Sequence, residues 1–162
     1  MMTKKIFLTL IVSLLLTTNS FSAGSSSSSS SSSNYDKAVK LVKSAKKYEQ
    51  KEKTDKAKKS YEKAQKLLIK YNVKNPNNAD TLNYLGFTTR KLGDFLNGEK
   101  YYLQGLAIEP NHIGINEYLG ELYVATNRID LAKERLEVLK GCNCEEYKEL
   151  KDVIEGNKTS KY

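Results

Sequence analysis

One histidine, two prolines, two cysteines and three arginines are all that the 162 residues contain of these types. With His112 as the sole imidazole and no strand-turn-helix nucleophile pattern, no Ser/His or Cys/His pair can be assembled. His112 follows Pro110-Asn111 and reads as a solvated turn residue. Two cysteines fall short of a structural zinc site, which takes about four ligands. The three arginines stand against 24 lysines, which weighs against nucleic acid, where bidentate arginines and stacking aromatics are expected. Long apolar runs are equally scarce. The only candidate, Ile6 to Leu16, covers about half of the roughly 20 residues a membrane span needs.

That run follows Lys4 and Lys5 and precedes a polar stretch of small residues, the layout of a secretory signal peptide. Residues 1–23 are expected to be cleaved after Ser22 or Ala23, leaving no stable membrane span and placing the chain in the periplasm or cell envelope of a bacterium. No cysteine lies near the cleavage site, which argues against a lipid anchor. The serine tract Ser25 to Ser33 offers nothing apolar to bury, so residues 24–34 are expected to form a flexible linker. The remainder suits one domain, residues 35–156, with a tail at 157–162. Its charge is uneven: residues 34–74 hold 14 lysines against 5 acids, and residues 75–162 hold 11 basic against 14 acidic residues. The lysine-rich half reads chiefly as a solvated face; an acidic partner or membrane surface is the alternative.

Pro76 and Pro110 stand 34 residues apart, each preceded by helical periodicity and followed by Asn, so a repeat of that length is to be tested. Between them, residues 79–112 read as two helices. Leu82, Leu85, Gly86 and Thr89 line one face of the first, and Phe95, Gly98, Tyr102, Gly105 and Leu106 line one face of the second, with Gly93-Asp94 as the turn. This segment resembles the tetratricopeptide repeat, whose pattern is matched by Leu82, Leu85-Gly86, Gly98, Tyr102, Gly105 and Pro110, with Thr89 replacing the usual Tyr. Gly at the small positions costs each helix up to about 1 kcal/mol relative to Ala. Residues 113–144 repeat the pattern with Leu119-Gly120, Tyr123, Ala132 and Leu136, and Gly141 ends the last helix in place of a proline. Residues 38–78 form a more degenerate first copy through Leu41, Ala45, Tyr48, Ala57, Tyr61 and Ala64. Residues 145–155, with Tyr147, Leu150, Val153 and Ile154 at helical spacing, read as a capping helix. The expected fold is all-α: a right-handed superhelical stack of three repeat-like helix pairs and the C-terminal cap.

The resemblance implies a non-enzymatic scaffold that binds a protein or peptide on its concave face, with no cofactor and no metal. Mapped onto this chain, the partner-binding groove is expected at Lys46, Asn83, Phe87, Arg90, Lys91, Glu117 and Glu121, with Val42, Glu49 and Val124 beside them. Phe87 would be its apolar anchor. A subclass that clamps a terminal carboxylate is not expected, since its positions hold Val42, Lys46, Tyr84, Gly114 and Tyr118. Glu145-Glu146 read as charges favourable to the first turn of the cap. An exposed first repeat could also pair with a second copy of the chain.

Cys142 and Cys144 keep several readings open: a local disulfide, which leads, free thiols, an intermolecular bridge, or metal. A local bridge would close so short a loop that the chain-entropy gain is roughly 1.6 kcal/mol. Similar bacterial exported repeat proteins often end in a cysteine pair and a Cys-Glu-Glu-Tyr run, here Cys144 to Tyr147, implying a closing turn before the cap. A thiol-redox or metal-handling protein using this pair is one alternative function, and a basic envelope-surface binder is another.

Overall fold

Helical periodicity, punctuated by the two prolines and by Asn, Asp and Gly, becomes seven α-helices in the computed structural model, which describes residues 28–158. They are α1 (Ser28–Glu49), α2 (Thr54–Lys74), α3 (Ala79–Lys91), α4 (Phe95–Ile108), α5 (Ile113–Ala125), α6 (Ile129–Leu139) and α7 (Glu145–Ile154). The expected leader, 1–23, lies outside the described residues, as do residues 24–27 of the expected linker and the end of the tail. From Ser28 onward the backbone is helical where a linker was expected. Extending a helix that already exists costs far less than nucleating one, so α1 can propagate backward into the serines. None of the described helices is long and apolar enough to cross a membrane.

Consecutive helices pair as α1 with α2, α3 with α4 and α5 with α6, and the pairs stack in chain order, with α7 packed on α5 and α6. Local chemistry sets the boundaries. Asn78 caps α3 by accepting from the Thr81 backbone N–H at 2.7 Å, and Asp94 caps α4 by accepting from Asn97 N–H at 3.1 Å. The turn inside each pair contains one left-handed residue: Glu52 at φ 55°, Gly93 at φ 93° and Asn127 at φ 58°. Gly and Asn adopt this region readily, whereas Glu does so at a cost.

Two apolar clusters hold the stack. The first joins Ala38, Val42 and Ala45 of α1 to Ala57, Tyr61, Ala64 and Leu68 of α2 and to Leu82, Leu85 and Phe87 of α3. The second joins Tyr102 of α4 to Ile115, Leu119, Leu122 and Tyr123 of α5 and Ala132 of α6. Leu150 and Val153 of α7 are buried, so the cap covers the open end as expected. Val124, expected in the groove, instead packs half-buried against the second cluster, and Val42 is a core residue.

Ridge-and-gap packing explains two of the glycines. A Cβ on Gly86 would lie 2.5 Å from the Tyr102 ring, and one on Gly120 would lie 2.5 Å from Leu150. Tyr102 is fully enclosed, so its ring has little room to yield. Gly86→Ala is therefore expected to lower stability by about 1–3 kcal/mol through overpacking, only partly offset by the roughly 1 kcal/mol gain in helix propensity; a denaturant titration with an unchanged slope would measure it.

Candidate functional site

The first helices of the three pairs, α1, α3 and α5, line one concave face, and α7 closes its far end. On this face lies an open cavity of about 880 Å³ to which Lys46 and Glu49 (α1), Tyr61 (α2), Phe87, Arg90 and Lys91 (α3), Glu117, Tyr118 and Glu121 (α5) and Glu149 (α7) all contribute. Asn83 opens instead onto a smaller adjoining recess of about 230 Å³, which shares Lys46, Glu117 and Tyr118 with the main cavity. The structure thus gathers all seven expected groove residues on one face, with Asn83 in a side chamber.

Several of these side chains are already engaged within the chain. Arg90 is 1% exposed; its guanidinium donates to the Tyr118 carbonyl at 2.7 Å and meets Glu121 at 3.4 Å. Phe87 is also buried, stacked at a tilt on Tyr118 with centroids 5.0 Å apart and edge-on to Tyr61. Both residues form the floor of the cavity rather than freely presented contacts. Lys91 pairs with Glu49 at 2.6 Å, and the Tyr61 hydroxyl donates to the same carboxylate at 2.9 Å. Lys46 donates to the Tyr118 hydroxyl at 3.0 Å, with its ammonium 4.5 Å from the centre of the Phe87 ring. Cation and ring attract through the ring quadrupole, so these contacts tie α1 to α3 and α5 across the cavity floor. Burial, with the Glu49 carboxylate next, drives the Tyr61 hydroxyl well above the usual tyrosine range.

At the α5–α7 end the balance of charge reverses. Carboxylate oxygens of Glu117, Glu121 and Glu149 lie within 4.8 Å of one another. Burial, then the Glu121 charge and a hydrogen bond with Glu149, push the Glu117 carboxyl up to about 9. It therefore holds a proton at neutral pH. Glu149 also receives the Lys158 ammonium at 2.9 Å. Sequence reading had missed Glu149 and Glu146, because only the fold-back of α7 brings them to the groove.

His112 corrects the sequence reading. It caps α5: Nδ1 accepts from the Ile115 N–H at 3.1 Å, while Nε2 faces Asp80 at 3.2 Å, with the side chain only 12% exposed. An accepting Nδ1 places the neutral ring's proton on Nε2, where it donates to Asp80 and ties α5 to α3. The same turn is braced by Asn116, whose amide donates to the carbonyls of Pro110 and His112 at 3.0 Å each. The signal was available, since a residue directly before an apolar helical run is a cap position, but histidine is an uncommon cap. Cys142 and Cys144 form a disulfide across Asn143, with Cys144 at the N-cap of α7, away from the groove lining.

The tetratricopeptide repeat profile matches residues 41–67, which span the α1–α2 pair. Solved structures extend the likeness to the whole stack. The first tetratricopeptide domain of Spaghetti (RPAP3), solved with the HSP90 peptide SRMEEVD, superposes with a TM-score of 0.53 at 21% identity, covering 76% of this chain and 94% of that one. The chain has the tetratricopeptide-repeat fold. The Yersinia enterocolitica type III secretion translocator chaperone SycD matches at a TM-score of 0.54 and 17% identity, over 75% of this chain and 83% of that one. SycD in complex with a peptide of the translocator YopD gives 0.52 and 19%, over 75% and 88%. No curated protein matches the sequence of this chain.

Proposed function

We propose that this chain is a non-enzymatic interaction module that receives a peptide or helix of a protein partner in the concave groove, and that it acts after export, in the periplasm or cell envelope of a bacterium. One observation carries the groove reading: an open cavity of about 880 Å³ is built jointly by all three repeats and the cap, with aromatic rings and charges of both signs in its walls. Such a mixture of apolar anchor surface and polar rim is what a peptide site requires. The bound peptides in the structures of Spaghetti (RPAP3) and SycD support the same use of this fold. The leader-like residues 1–23 support export.

Because Phe87 and Arg90 are buried, their replacement would confound binding with folding. The exposed lip offers a cleaner test. A photo-crosslinking residue at Lys58, which lines the cavity, is expected to capture a discrete partner in cells, whereas one at Lys70, exposed on the same helix and outside the cavity, is not. The double variant Thr54→Tyr and Lys58→Glu should leave the helical melt within about 0.5 kcal/mol of wild type, as surface changes do, and weaken the captured partner's binding. Equal capture from Lys58 and Lys70 would remove the groove as the site.

A further inference from the structure

The outward face of α2 carries a single stripe of lysines. Lys56, Lys59, Lys63, Lys66, Lys70 and Lys74 recur at intervals of three or four residues, and all are exposed; that spacing puts side chains on one side of a helix. The buried residues Ala57, Tyr61, Ala64 and Leu68 fill the opposite side. Lys56 and Lys74 stand 18 positions apart, about 27 Å at the α-helical rise. Among the described residues none of the six forms an ion pair. The two acids of α2, Asp55 and Glu62, lie on the flank of the stripe toward its start. The paired helix α1 exposes Lys37, Lys40, Lys43 and Lys47 against one exposed acid, Asp36, so it adds charge of the same sign. Toward the end of the stripe, Ile69 and Val73 alternate with Lys66, Lys70 and Lys74 and are 44% and 77% exposed. A single exposed apolar residue is ordinary, but an apolar pair set among lysines on one helical face is the composition of a helix that lies at a lipid–water boundary.

We infer that this face of α2 docks on an anionic lipid surface, with the ammoniums meeting headgroup phosphates while Ile69 and Val73 enter the acyl boundary. A straight row of point charges matches a plane of opposite charge along its whole length. Lysine stems are long enough to reach the headgroups while their apolar methylenes rest against the boundary. A soluble polyanion fits less well. Arginine, whose planar fork grips phosphate or carboxylate at two points, is absent from α2, and the apolar pair offers such a partner nothing. Lipid contact here neither requires nor blocks a peptide in the groove, since Lys58, and none of the six, lines the cavity.

A polarity-sensitive dye attached through Val73→Cys reports the contact in the full chain, because Cys142 and Cys144 are already bonded to each other. The same dye attached through Val138→Cys on α6, a site that is 39% exposed, is the control. Both share the apolar residues 6–16, so any lipid affinity of that run does not separate position 73 from position 138. Vesicles of phosphatidylglycerol and phosphatidylcholine in equal parts are expected to shift the emission at position 73 to the blue and leave position 138 unmoved. The response should vanish with phosphatidylcholine alone and weaken with salt. Each lysine near an anionic surface is worth about fivefold in partitioning, so adding Lys63→Gln, Lys66→Gln and Lys70→Gln should raise the lipid needed about a hundredfold, with the helical melt kept. Equal shifts at the two positions, an equal response to phosphatidylcholine alone, or an unchanged lipid requirement in the triple variant would each overturn the assignment. So would silence toward both vesicles, and polyphosphate bound by that same silent chain would assign the stripe to a soluble polyanion instead.

Discussion

Replacing Arg90 by alanine is expected to cost about 3–5 kcal/mol, a large share of the roughly 5–15 kcal/mol that holds a domain folded. The guanidinium is enclosed, donates to the Tyr118 carbonyl at 2.7 Å and faces Glu121 at 3.4 Å. Its removal strands a carboxylate that is 3% exposed beside two other acids. The cost arises from breaking the pair rather than from any large net value of the pair. The double variant Arg90→Met and Glu121→Met should therefore recover most of the loss, because buried ion pairs are often replaced by apolar residues at no cost. Chemical denaturation of the two variants decides it; a loss below about 1 kcal/mol for Arg90→Ala would show that water reaches Glu121 and that the pair is not enclosed.

Stability is expected to fall as pH rises from mildly acidic to mildly alkaline, opposite to the behaviour of a domain governed by salt-bridged carboxylates. Glu117 is raised from 4.5 to about 9 in the folded chain. Below the lower value the carboxyl is protonated in both states, and its contribution is complete. Above it, the unfolded carboxyl ionises while the folded one keeps its proton, so stability declines by up to about 1.4 kcal/mol per pH unit until the folded carboxyl ionises too. The groups that face it are Lys46 of α1, Arg90 of α3, Tyr102 of α4, Glu121 of α5 and Glu146 and Glu149 of α7, with Lys158 beyond. Asp94, lowered by its hydrogen bonds from Asn97, works the other way and loses its contribution only as pH falls through its own range. Melting midpoints of wild type should thus peak in mild acid and drop several degrees by alkaline pH, whereas Glu117→Gln, which cannot ionise, should stay flat. A parallel decline in the variant would assign the slope to other groups.

The fold was legible because its grammar is local. Gly86, Tyr102 and Gly105 recur at spacings that reflect one physical need, close approach of paired helices, and the structure fills those gaps with Tyr102 and Ile115. That the seven expected groove residues share one face was likewise readable from the repeat resemblance, since one face of each first helix must point the same way. What could not be read is how deeply they sit and whom they meet. Arg90 and Phe87 look like contacts in a sequence but become floor in the structure, because burial depends on the approach of α1 and α5. Glu149 enters the site only because α7 folds back across more than 25 residues of chain from Glu121. His112 was misjudged for a related reason: its partner Asp80 is 32 positions away. Glu52, at φ 55°, breaks the turn chemistry that Gly93 and Asn127 obey.

The covalent bridge at Cys142–Cys144 skips a single residue, so it ties the closing turn to itself and nothing distant together. The grip of α7 on the stack comes from Leu150 and Val153, buried against α5 and α6. Oxidised or reduced, the last helix can peel away without any cross-link yielding. A protease that cuts only opened chain would therefore find its first entry there, and trimming would begin at the wall of the groove that carries the acids.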